Sequence, residues 1–115
     1  MMVGHEAFVE HMVRLGLRPR MEAGLVLYSL EPVEGARAGT VVDTAVAADE
    51  LARWPQVPPH WIHLPGAVTL ARTNSRLSPR SGWTMHSRQV ASWGNDDPGV
   101  AWASHVRGVL GEARA

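Results

Sequence analysis

The sequence predicts an α+β fold in which helices pack against a small antiparallel sheet. Three observations lead there. An amphipathic helical pattern opens the chain, and a well-capped one closes it. Between them lie β-rich segments separated by glycine- and proline-rich turns. At 115 residues the chain makes one domain, residues 1–115, and folding hides roughly two-thirds of its unfolded surface.

The elements follow in order. Phe8, Val9, Met12, Val13 and Leu15 recur at spacings of three and four, so residues 5–15 predict a helix with one apolar face. Gly16 can end it, and Arg18-Pro19 can lead out. Residues 25–31, LVLYSLE, predict a strand bounded by Gly24 and Pro32. After the turn segment PVEGARAG, residues 40–47 predict a second strand, giving an antiparallel hairpin with a long loop. Residues 49–54 have room for at most a turn of helix before Pro55. Pro55, Pro58 and Pro59 exclude a central strand, since proline donates no ladder hydrogen bond. HWIHL and AVTL predict short extended pieces on either side of Pro65-Gly66, and residues 71–82 a polar loop. Asp97 is a good N-cap and Pro98 suits the first helical position. Trp102, Val106, Val109 and Leu110 then form one apolar face of a helix that runs to about Gly111.

Composition excludes several classes. No apolar run approaches the ~20 residues of a membrane span. The N-terminal stretch lacks the basic start, apolar centre and small-residue cleavage site of a signal peptide, so a cytoplasmic protein without membrane association is expected. Net charge is zero, which argues against whole-surface attraction to nucleic acid. There is no cysteine, hence no disulfide, thiolate metal site or thiol nucleophile. All eleven basic residues are arginine, so the N-terminus is the only amine.

Histidines and hydroxyls supply the remaining chemistry. His60 and His63 lie three apart in an extended segment, where such residues point to opposite faces, and no metal site is assigned. His5 and His11 sit on the first helix without an evident partner, and His105 follows Trp102 on the last. His86-Ser87 invites a hydrolase reading, but the Gly-x-Ser-x-Gly elbow is absent. GARAG lacks the Lys-Ser/Thr of a nucleotide loop, and no cofactor is implied. Tryptophans 54, 61, 83, 93 and 102 supply much of the core volume.

WPQVPP, with Trp54, Pro55, Pro58 and Pro59 at the required spacing, resembles the aromatic-Pro-x-x-Pro-Pro bend of ubiquitin-conjugating enzymes. Gly82 and Trp93 stand eleven apart, as the family's glycine before and tryptophan after its catalytic cysteine do, and Asp97-Pro98 opens the helix that follows. The pattern GW…HSR…W looks most like the prokaryotic ubiquitin-conjugating-like family E. The resemblance covers nearly the whole chain through short motifs. It implies the ubiquitin-conjugating-like fold, an antiparallel meander sheet with N- and C-terminal helices. The chain stops after the post-active-site helix, before the family's later helices.

On this resemblance the cysteine position falls on Met85, whose thioether cannot form a thioester. The family's His-Pro-Asn tripeptide is absent, and Asn74 is the nearby candidate for its oxyanion-binding asparagine. Trp83 and Trp93 are expected to pin the loop to the core. Trp83, Met85, His86 and Arg88 then form the expected binding site, with Arg88 pairing either with an internal carboxylate or with a modifier's C-terminus. The function implied is a non-thioester binding or scaffold component, a pseudoenzyme, of a bacterial ubiquitin-like modifier pathway, with defence among its roles. Its partners would be a ubiquitin-like modifier or an activating-enzyme-like protein, not nucleic acid. The alternative is an enzyme using His86, supported by Asn74 or Ser87. A weaker alternative is a metal-dependent hydrolase built on His60, His63 and His86.

Overall fold

A computed structural model describes residues 3–94 and 97–114. The chain is α+β, with a six-stranded antiparallel sheet and two helices. Helix α1 is His5–Arg14 and α2 is Pro98–Leu110. The strands are β1 Arg20–Glu22, β2 Leu25–Leu30, β3 Val42–Ala47, β4 Trp61–Pro65, β5 Asn74–Leu77 and β6 Trp83–Ser87. Their order across the sheet is β1-β2-β3-β4-β6-β5. A 3-10 turn, Ala48–Leu51, follows β3 where a single helical turn was expected. No helix among the described residues is long and apolar enough to cross a membrane.

Both helices lie on one face of the sheet. Phe8 and Met12 from α1 meet Trp102, Val106, Val109 and Leu110 from α2 over Val26, Tyr28, Val46, Ile62 and Leu64. The Asp97 side chain accepts from the Val100 amide at 3.1 Å, the expected cap. Gly99 permits the close approach of α2 to α1, since a Cβ there would stand 2.9 Å from that of His11. Gly35 anchors the β2–β3 loop to the end of α2. Its φ is +83°, and a Cβ would fall 2.0 Å from the Gly111 carbonyl oxygen, so only glycine fits.

The second half of the sheet departs from the sequence reading. Residues 71–82 are not a continuous loop, because they contain β5, and the Trp83–Ser87 segment is a strand rather than part of a loop. AVTL, by contrast, is irregular, and β1 was not anticipated. The physical reason is exposure. All residues of β1 and β5 are exposed, so neither sheet edge shows the alternation that marks a half-buried strand. His11 also gains a partner, its Nδ1 accepting from the Trp54 indole at 3.0 Å.

Trp102 and Trp54 are fully buried. Trp93, expected to pin the loop to the core, is half-buried. It packs 5.4 Å from Trp54 and donates its indole N–H to the Pro55 carbonyl at 2.9 Å. Trp83 lies on the opposite face of the sheet, against Leu25, Leu27 and Ala45, so the two tryptophans do not pin one loop to one core.

Candidate functional site

Pairing of β4 with β6 sets Trp61 opposite Ser87, Ile62 opposite His86 and His63 opposite Met85. Alternation along β6 then sends Met85 and Ser87 to one face and His86 to the other. Four consecutive residues of a loop could face a common site, but four residues in and beyond a strand cannot. Met85, His86, Ser87 and Arg88 therefore go to different surroundings.

His86 points into the helix-covered core and is 3 % exposed. Its Nδ1 lies 2.9 Å from the Thr73 hydroxyl, while Nε2 is buried without a partner among the described residues. Burial holds its pKa below the usual imidazole range. The ring is thus turned away from solvent, unlike the exposed loop position expected for it. Met85 is half-buried, between His63 on β4 and Arg76 on β5. Arg88 is committed internally. It forms an ion pair with Glu112 and reaches the Arg72 carbonyl at 3.3 Å, tying the exit of β6 to the end of α2.

His60, His63 and His86 do not converge, since His63 and His86 occupy opposite faces. No group of three or more metal-binding side chains exists among the described residues.

What the fold does bring together lies beside the proline bend. Val57, Pro58 and Pro59 line a cleft of about 620 Å³ together with residues 87–90. His60 and Asn74 complete the lining. Asn74 is the β5 register partner of Ser87. The Ser87 hydroxyl lies 3.0 Å from Nε2 of His60. His60 is held in place by its backbone, because the Glu50 carboxylate accepts from the amides of His60 at 2.8 Å and of Trp61 at 3.2 Å. Its ring also packs edge-on against Trp61 at 4.9 Å.

The Ser87–His60 pair was not legible in the sequence. It depends on the β4–β6 register, which no local motif encodes. No family model matches the chain, and neither does any curated protein or solved structure.

Proposed function

We propose that the chain is a conjugating-enzyme-like binding or scaffold component of a bacterial ubiquitin-like modifier pathway, and that it carries no thioester. The partner would be a ubiquitin-like modifier or the enzyme that activates it. The observation that carries this reading is the cleft between the proline bend and the end of β6. Its volume falls within the roughly 300–1,000 Å³ of ordinary ligand sites, and a narrow extended tail fits such a space. Residues 51–94, which supply every lining residue, contain five arginines and no acidic residue. The Glu50 and Glu112 carboxylates beside the cleft are already engaged, by the His60 and Trp61 amides and by Arg88. The absence of cysteine removes thioester chemistry.

The test is a titration of isotopically labelled protein with a ubiquitin-like modifier, and with its activating enzyme, read by amide chemical shifts. Shifts confined to the cleft, at His60, Asn74, Ser87 and Gln89, are expected. In parallel, intact mass after incubation with modifier, activating enzyme and ATP should show no reductant-sensitive adduct. No shift with either partner, or a reductant-sensitive adduct on the wild-type chain, overturns the proposal.

A further inference from the structure

Three hydroxyl–imidazole pairs occur among the described residues: Ser78 with His63 at 2.7 Å, Thr73 with His86 at 2.9 Å, and Ser87 with His60 at 3.0 Å. In the first two the imidazole is sealed, with His63 at 1 % and His86 at 3 % exposure. The third alone opens to solvent and lines a cleft. A hydroxyl becomes a useful nucleophile when a positioned base can take its proton. Imidazole is the most common such base. His60 meets the geometric requirement, with Nε2 facing the Ser87 hydroxyl and its backbone clamped by Glu50. Asn74, the register partner of Ser87 on β5, lines the same cleft and carries a side-chain amide, the kind of donor an oxyanion needs.

We infer that Ser87 is an acyl-accepting nucleophile, with His60 as its general base and Asn74 as the oxyanion donor. The substrate class is a thioester or activated ester presented in the cleft. The Ser87 oxygen bonds to the acyl carbon, and its proton passes to Nε2 of His60. Collapse of the tetrahedral intermediate breaks the C–S or C–O bond of the leaving group. The imidazolium then returns the proton to the departing thiolate or alkoxide. The product is an oxyester on Ser87, which thiol reductants do not reverse. In a chain without cysteine or lysine, this is a covalent route that the side chains themselves supply. The inference shares the cleft with the binding proposal but does not depend on which partner occupies it.

The experiment uses an alkyl fluorophosphonate, which carries no modifier, on the whole chain, with intact mass followed by peptide mapping. A single adduct on Ser87 is expected. Ser87→Ala should abolish it, and His60→Gln should slow it about 10²-fold, the lower range for loss of a general base. Asn74→Ala should slow it less, and melting curves should be unchanged for all three variants. Mapping on wild-type protein identifies the reactive residue even if a variant folds poorly. No adduct, an adduct spread over Ser78 and other serines, or a rate indifferent to His60→Gln overturns the inference. Failure of labelling leaves noncovalent binding intact, and failure of modifier binding leaves the serine chemistry intact, so the two outcomes are distinguishable.

Discussion

The two faces of the sheet are closed in different ways. On the helix-covered face, hydrocarbon volume does the closing. Phe8 packs edge-on to Trp54 at 4.9 Å and to Tyr28 at 5.6 Å, and Trp102 donates to the Tyr28 hydroxyl at 2.8 Å. Burial pushes the Tyr28 phenol up to about 12, which marks how dry this face is. On the other face, among the described residues, Leu25, Leu27 and Ala45 form a small buried cluster, with Ala47 and Trp83 against it. There the β5–β6 connection supplies polar cover: Ser78 bonds His63, and Arg80 stacks over Trp83 at 5.0 Å. A sheet this small leaves two faces to manage, and this chain spends its helices on one. The second face is held by a loop, and that loop leads into β6 and the cleft.

The comparison predicts unequal sensitivity. Trp102→Ala removes a buried indole and leaves the Tyr28 hydroxyl without its donor, and a cost of ~3–5 kcal/mol is expected. Typical domain stabilities of about 5–15 kcal/mol leave little margin beyond that. Denaturant titration should show a large fall in midpoint, and an unchanged midpoint would show that the helix face is not the stabilising one.

Acidification should act on both faces at once. Burial lowers the pKa of His63, His86 and His105. At His63 the nearby Asp49 charge opposes this; at His105 a backbone hydrogen bond to Arg88 opposes it while the Arg88 charge adds to it. Each imidazole is therefore held neutral in the folded chain, while the unfolded chain protonates near the ordinary value of about 6.5. Stability is full above that value and is lost as pH falls through it toward the lowered native values. Melting temperature should drop between pH 7.5 and pH 5.5, and His86→Gln should flatten the drop. A flat profile in the wild type would mean that these rings are not dry.

How much was legible in the sequence follows the same division. The helix face announced itself, because Phe8 and Met12, and Trp102, Val106 and Val109, repeat with the period of a helix facing hydrocarbon. Asp97-Pro98 marked the start of α2 through local chemistry alone. The other half of the sheet gave no such signal. Asn74, Ser75, Arg76 and Leu77 are all exposed, so β5 reads as a loop, and with it β6 was misplaced. Once β6 is a strand, alternation decides what each residue touches, and His86 leaves the site while Ser87 stays. The residues singled out in the sequence lie close along the chain, but which of them share a surface is decided by the register.

A smaller effect should come from the hydroxyl that closes the loop-covered face. Ser78→Ala leaves the buried Nδ1 of His63 without its partner and removes an acceptor 3.1 Å from the Arg80 amide. About 1–3 kcal/mol is expected, the range for leaving a buried polar group unpaired. Thr73→Ala is the matched change on the helix face, at the hydroxyl of His86. Both variants should unfold in one transition with wild-type dependence on denaturant. If Ser78→Ala instead broadens or splits the transition, the loop opens independently of the helix-covered core.

The smallest expected effect bears most directly on how the loop-covered face is held. Arg80 lies over the Trp83 ring, and Arg76 over Trp61 at 5.5 Å, so both half-exposed tryptophans carry a guanidinium. At exposed sites such a contact contributes about 0.5–1 kcal/mol. A double-mutant cycle of Arg80→Ala with Trp83→Leu should return a coupling of that size. It separates the cation–π contact from the apolar packing of Trp83 on Leu25 and Leu27, which Trp83→Leu partly keeps. The same cycle on the helix face, Trp102→Phe with Tyr28→Phe, should give a coupling of about 1 kcal/mol, because its hydrogen bond is fully buried. Salt separates the two further. The Arg80–Trp83 coupling should shrink as ionic strength rises, since a partly exposed charge is screened, whereas the buried neutral pair should not respond. If both couplings respond alike, the difference between the faces is one of degree. If only the loop-covered face responds, its closure is electrostatic, and the loop that leads into β6 can be loosened without disturbing the core.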